Sequence, residues 1–156
     1  MPEECPGCGL RVAGSRAGCQ ALYDRLAARA LNSPAFAGVQ PLAFDAYCMQ
    51  HLEPYCRSAK SYAAHLTRLA CGLEYGGDPR VYAAIQRWMN GAVALSKPAR
   101  LAHLGSLRVA DASAEDAAAY QRQVRAWAEN VWEAYRPQHA LAREWITSAL
   151  RGSRPA

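Results

Sequence analysis

A Cys-Pro-Gly-Cys-Gly segment at residues 5–9 constrains the fold of this chain more than any other stretch. Two cysteines separated by two residues can place both sulfur atoms about 2.3 Å from one zinc ion, because the Pro-Gly pair between them turns the backbone. Cys19 follows at the start of a helical pattern and offers a third thiolate. A structural zinc site needs four ligands. This part of the chain is therefore expected to fold around a metal ion.

The fourth ligand must come from farther along the chain, and His51 is the residue that we predict. It lies at the end of a helical pattern shortly before Pro54, where a helix is expected to stop. Its ring can therefore reach past the helix body toward the N-terminal loop. The other candidates are the remaining histidines and cysteines of the chain: His65, His103, His139, Cys48, Cys56 and Cys71.

Cys48, Cys56 and Cys71 are expected in the core rather than at the metal, because free cysteine is among the most buried residue types. The sequence thus predicts a zinc ion held by Cys5, Cys8, Cys19 and His51.

A redox-active cysteine pair is the alternative interpretation of Cys5 and Cys8. Such a pair normally opens a helix within a βαβ unit, and no such unit is predicted here. The N-terminal residues are acidic and no apolar segment of a secretory signal follows them. We therefore expect reduced thiols and a cytoplasmic location.

Charge and hydropathy exclude two classes of partner. The chain carries 18 basic and 13 acidic residues, a net charge of +5, but its arginines are scattered and never form a run of three. Tracking a phosphate backbone needs clustered positive charge, so a nucleic-acid partner is not expected. No segment approaches the roughly 18 consecutive apolar residues of a membrane span, so no membrane association is expected.

Apolar residues recur at helical spacing in six segments, at residues 18–31, 42–51, 58–75, 80–90, 114–135 and 138–150. A short run at residues 106–109 has the composition of a strand. The pattern predicts an all-α fold, a helical bundle of five or six helices with a zinc-bound N-terminal Cys-rich loop. We divide the chain into the zinc-binding loop at residues 1–17, the bundle at 18–150 and a disordered tail at 151–156.

Several separated segments resemble a family of uncharacterised bacterial domains of unknown function. The segments are the opening Cys-Pro-Gly-Cys-Gly, the stretches 18–23, 44–51 and 63–66, and the region from 124 to 139. Within them, Asp-Ala-Tyr-x-x-Gln-His at residues 45–51 is the most specific element. The resemblance covers nearly the whole chain. It implies which residues matter for function but does not imply a reaction.

The resemblance points to six positions, namely Cys5, Cys8, Cys19, His51, His65 and His139. Where the family often shows a pair of histidines before the last helix, this chain has Gln138-His139. His65 and His139 thereby gain functional weight. We hypothesise that they line a shared polar pocket with Tyr47 and Gln50, next to the zinc site but distinct from it.

Three functions remain open on this basis. In the first, the chain is a small zinc-binding protein whose metal is mainly structural and whose pocket binds a small molecule or a protein partner. In the second, it is a metal-dependent enzyme whose metal is held by His51, His65 and His139, with Asp45 and Glu53 as supporting acid or base. In the third, it is a zinc-knuckle regulator of nucleic acids.

Overall fold

The computed structural model describes residues 1–152, and within them the chain is almost entirely helical. A two-stranded ribbon opens the chain, formed by β1 (Pro2–Glu4) and β2 (Arg11–Ala13). Eight α-helices follow in this described part: α1 (Ser15–Asn32), α2 (Pro34–Ala37), α3 (Gln40–Gln50), α4 (Leu52–Tyr55), α5 (Ala59–Glu74), α6 (Pro79–Asn90), α7 (Ala117–Ala134) and α8 (His139–Gly152). The predicted all-α fold is confirmed.

Polar side chains at the first residues of the helices explain where several of them begin. Ser58 accepts a hydrogen bond from the Ser61 backbone N–H at 3.0 Å and so caps α5. Asp78 caps α6, with Pro79 in the first turn. Asp116 caps α7, so this helix starts three residues later than the pattern placed it.

Helix α3 is the centre of the bundle. It packs against α5 on one side and α7 on another, while α6 and α8 pack against each other and α8 also against α5. Eight of its eleven residues are buried. Burial on nearly all sides accounts for its lack of a polar face. The largest fully buried side chain, Trp127 of α7, donates a hydrogen bond to Gln50 at the end of α3 over 3.0 Å.

The N-terminal ribbon was not predicted from the sequence, because its strands are three residues long and nearly all their side chains are exposed. The two strands are antiparallel and are held against α1 by Ser15, whose hydroxyl donates to the Glu4 carbonyl. The strand partners are Pro2 with Ala13, Glu3 with Val12 and Glu4 with Arg11.

The strand-like run at residues 106–109 does not form a strand. Its last residue begins a 3-10 turn, Val109–Asp111, and Asn130 of α7 accepts backbone hydrogen bonds from Ser106 and Leu107. Side-chain capping by Asn130 thus takes the place of a strand partner.

Helix α8 includes Arg151 and Gly152, whereas residues 153–156 of the predicted tail lie outside the described residues. No helix within residues 1–152 combines the length and the apolar character that a membrane span requires.

The first prediction concerns Gly18, where the ribbon meets α1. A β-carbon at this position would lie 1.9 Å from the Ala13 carbonyl oxygen, so Gly18→Ala must push the ribbon away from the helix. We expect a loss of about 1–3 kcal/mol in the free energy of unfolding, measured by urea denaturation. Gly38→Ala is the matched control, because Gly38 has a φ of −62° and the added carbon would have no atom of residues 1–152 within 4 Å apart from its chain neighbours.

The control variant should unfold at the same urea concentration as the wild type or at a slightly higher one, since alanine restricts the unfolded chain. Equal midpoints for Gly18→Ala and Gly38→Ala would contradict the close approach of ribbon and helix.

Candidate metal centre

Four side chains from three separate parts of the chain converge at the junction of the ribbon, α1 and α3. The sulfurs of Cys5, Cys8 and Cys19 and one ring nitrogen of His51 all lie within 4.8 Å of one another. The four residues are buried, with between 0% and 8% of their surface exposed. A buried group of three thiols and an imidazole could hold a metal ion.

Three separations between these atoms match those of tetrahedral coordination. His51 Nε2 lies 3.5 Å from the Cys5 sulfur and 3.4 Å from the Cys19 sulfur, and the Cys8 and Cys19 sulfurs are 3.8 Å apart. A tetrahedron with zinc–sulfur bonds of about 2.3 Å and a zinc–nitrogen bond of about 2.0 Å has ligand separations of about 3.8 Å and about 3.5 Å.

The loop between the two strands carries Cys5 and Cys8, and its own backbone shapes it. The Cys5 N–H donates to the Leu10 carbonyl, and the Gly9 N–H donates to the Cys5 carbonyl, each over 2.8 Å. The Cys8 carbonyl accepts a hydrogen bond from Arg108 Nε at 2.6 Å. These bonds hold the two sulfurs on the same side of the turn.

Gly7 lies between the two cysteines because a larger residue would not fit. A β-carbon there would lie 2.5 Å from Cδ2 of the His51 ring and 3.0 Å from the Gln50 carbonyl oxygen. The loop and the end of α3 are therefore in direct contact at this point.

His51 is held in one orientation by the helix that it terminates. It is the C-terminal cap of α3, and its Nδ1 lies 2.7 Å from the Tyr47 carbonyl oxygen, one turn back. A carbonyl only accepts, so Nδ1 carries the ring proton and Nε2 presents its lone pair to the three sulfurs. The ring also stacks on Tyr47, with 3.9 Å between their centroids.

The protonation of Cys8 and Cys19 is linked. Their mutual hydrogen bond, aided by His51 and opposed by burial, lowers the pKa of the Cys8 thiol to about 4. The same bond, burial and the neighbouring Cys8 charge raise the pKa of the Cys19 thiol. Releasing both protons would place two thiolates side by side, and a divalent cation between them would remove that repulsion.

The three other cysteines lie elsewhere in the core. Cys48, Cys56 and Cys71 are fully buried and belong to the hydrophobic cluster. Burial raises the pKa of the Cys56 thiol to about 12 and that of Cys71 to about 11. Protonated, buried thiols of this kind act as small apolar side chains.

Within residues 1–152, the residues predicted to share a polar pocket form their hydrogen bonds with other groups and not with one another. Tyr47 donates to Gln20 at 3.3 Å, and Gln50 donates to the carbonyls of Leu104 and Leu107. Each side chain is thus occupied by neighbours of its own.

The two histidines likewise have separate partners. His65 Nδ1 lies 2.9 Å from Asp45 Oδ1, whereas His139 Nε2 lies 2.7 Å from the Trp132 carbonyl oxygen, and the His139 ring stacks on Trp132. Glu53, the second candidate acid, forms an exposed ion pair with Arg16.

Asp45 is a buried carboxyl between two positively chargeable groups. Besides His65, Arg68 Nε lies 3.3 Å from Asp45 Oδ2, without the geometry of a hydrogen bond. The Asp45 side chain has no exposed surface. Burial raises its pKa by more than His65 and Arg68 lower it.

Sequence reasoning missed Gln20, Arg68 and Arg108, which support these groups from outside. Gln20 accepts from both Tyr47 and Tyr55, and Arg108 binds the metal loop from a position 100 residues away. Gln20 could have been identified from the sequence, because it directly follows the predicted ligand Cys19. Nothing in the sequence near Arg68 or Arg108 indicates which residues they contact.

The second prediction follows from the burial of Asp45. Its carboxyl should titrate above the ordinary value of about 3.9 in a carbon-13 NMR titration. A folded-state pKa above the unfolded one means that this group's contribution to stability is full below the unfolded pKa and is lost as the pH rises through the folded pKa. His65→Ala should raise the Asp45 midpoint further, because the His65 hydrogen bond lowers it.

Asp78 serves as the internal control, because its ion pair with exposed Arg80 lowers its pKa. An Asp45 midpoint at or below that of Asp78 would contradict the buried geometry.

Comparison with known proteins gives a family and no individual relative. Neither the curated proteins nor the solved structures yield a match. A family model described as a family of unknown function, DUF5946, matches residues 3–136. The matched region contains the four clustered residues Cys5, Cys8, Cys19 and His51, and also His65, but ends before His139. Because the match covers most of its length, this chain belongs to the DUF5946 family of unknown function.

Proposed function

We propose that this chain is a small bacterial zinc-binding helical protein in which the metal is structural and the bundle serves in binding. The observation that carries the proposal is the closed donor set of Cys5, Cys8, Cys19 and His51, all buried and all within 4.8 Å of one another. Four protein ligands leave no position for water or substrate, which is the arrangement of structural zinc sites.

The identity of the metal follows from the chemistry of the donors. Thiolates and imidazole in tetrahedral arrangement suit zinc, whereas magnesium and calcium take oxygen ligands. A set of three thiols must stay reduced to bind the ion, so we place the protein in the cytoplasm.

The ion would join three separate pieces of chain. The ribbon loop supplies Cys5 and Cys8, the first turns of α1 supply Cys19, and the end of α3 supplies His51. Strands β1 and β2 have no buried residues. Zinc would therefore stabilise the N-terminal segment, while the bundle has its own core.

The enzyme alternative is less well supported. It requires a metal with an open position held by His51, His65 and His139. In the structure His51 Nε2 faces the cysteines, His65 pairs with Asp45, and His139 contacts the Trp132 backbone. The regulator alternative rests only on the net positive charge and the Cys-x-x-Cys motif, and the scattering of the arginines argues against it.

The third prediction is that the purified protein contains about one zinc ion per chain and that Cys8→Ala loses it. Metal content is measured by inductively coupled plasma mass spectrometry. Replacing the zinc with cobalt should give the visible absorption of a tetrahedral cobalt–thiolate complex. Cys71→Ser is the matched control, because Cys71 is buried outside the cluster and a hydroxyl can keep its contact with the Asp78 carbonyl.

The control should retain its zinc. A disulfide between Cys5 and Cys8 in reduced, zinc-supplied protein, or full zinc content in Cys8→Ala, would refute the proposed site.

The fourth prediction separates the N-terminal segment from the bundle. Removal of zinc by a chelator should increase amide hydrogen exchange in the first thirty or so residues, because the metal replaces a local core. Helices α5 to α8 should keep their protection, since their buried faces do not involve the ligands. Complete loss of the helical circular dichroism signal on chelation would show instead that the metal supports the whole fold.

A further inference from the structure

A second site is suggested by a groove between α1 and the segment formed by α2 and α3. It has a volume of about 530 Å³, within the range of small-molecule pockets. None of the four clustered metal-binding residues lines it, nor do His65 and His139. Its walls consist of aromatic and aliphatic side chains: Tyr23, Ala27, Ala30, Leu31, Pro41 and Phe44.

Arg68 of α5 is the one charged residue that lines the groove among the described residues. Its guanidinium group lies over the ring of Tyr82, 5.0 Å from the ring centre, with Nε directed toward Asp45. Neither terminal nitrogen has a hydrogen-bond partner within residues 1–152, and 29% of the side chain is exposed. Arg68 is therefore a partly exposed cation that borders an apolar groove, with the N–H groups of both terminal nitrogens unused within residues 1–152.

The groove wall also holds an unsatisfied acceptor. Gln40 donates through its amide nitrogen to the Tyr23 hydroxyl at 2.9 Å, but its amide oxygen is buried and has no partner in the part of the chain that the structure describes. A carboxylate has no hydrogen to donate to this oxygen, so a water molecule rather than the ligand would have to satisfy it.

We propose that this groove binds a small molecule with an apolar body and one carboxylate, in which the aromatic and aliphatic wall holds the body and the free guanidinium nitrogens of Arg68 hold the carboxylate. The planar guanidinium matches a carboxylate in a two-point hydrogen bond.

The charge distribution separates this ligand class from others. A cationic ligand would meet the repulsion of Arg68, since among the described residues no acid lines the groove and Asp45, which pairs with Arg68 Nε, is fully buried. A phosphate ester, with its higher charge, would find one cation where such sites normally gather several donors. A neutral apolar molecule would fill the groove but leave the guanidinium unpaired.

Decanoate below its micelle concentration is the probe, added to the full zinc-loaded chain and followed by calorimetry and by NMR shifts of Tyr23 and Phe44. We expect decanoate to bind at least about tenfold more tightly than decanol, the typical effect of a hydrogen bond to a charged group. Decylamine should bind more weakly than decanol. Equal affinity for all three would overturn the assignment, because the groove would then be an unspecific apolar surface.

Two variants locate the binding. Arg68→Gln should reduce decanoate affinity to that of decanol, and Ala30→Phe should abolish binding of both by filling the groove. Ala28→Phe is the matched control, because Ala28 lies on the same helix but is exposed and does not line the groove. If Arg68→Gln fails to fold, the comparison of Ala30→Phe with Ala28→Phe still shows whether decanoate binds in the groove.

Two further outcomes would overturn the proposal. One is unchanged decanoate binding in Ala30→Phe. The other is a wild-type dimer in sedimentation that Ala30→Phe converts to a monomer without any decanoate binding, which would make the groove an interface between two copies. Zinc content should not change in any of these variants, so failure here is distinguishable from failure of the proposed metal site.

Discussion

The hydrogen bond from His51 to the Tyr47 carbonyl is the interaction on which the arrangement of the candidate metal centre depends. It fixes the ring proton on Nδ1 and directs Nε2 at the three sulfurs. The bond exists because α3 ends at this residue and leaves its last carbonyls without helical partners. The end of one helix thus supplies both a ligand and the group that orients the ligand.

The same end of α3 connects the metal centre to the rest of the bundle. Gln50, the neighbour of His51, accepts from Trp127 of α7 and donates to the carbonyls of Leu104 and Leu107. Arg108, the residue after Leu107, donates a hydrogen bond to the Cys8 carbonyl. A single buried amide therefore positions the long α6–α7 connection, which in turn supports the cysteine loop.

Stacked rings continue from the metal centre toward the apolar groove. The His51 ring stacks on Tyr47, and Tyr47 stacks on Tyr23 with 4.4 Å between centroids. Tyr23 is itself part of the groove wall. Aromatic pairs at these distances add roughly 0.5–1.5 kcal/mol beyond the area they bury. The candidate metal centre and the groove are thus built on one continuous aromatic layer between α1 and α3.

From the sequence alone, local periodicity predicted the six longer helices but not the four-residue helices α2 and α4. The group of Cys5, Cys8, Cys19 and His51 was predicted from the Cys-x-x-Cys spacing and from the position of His51 at a helix end. The sequence did not reveal the ribbon, whose exposed three-residue strands carry no apolar alternation. Nor could it show that His65 pairs with Asp45 while His139 contacts Trp132, or that Arg68 borders an apolar groove. Those partners are decided by how α3, α5 and α8 pack, since a buried polar group bonds to whatever the tertiary fold brings within reach.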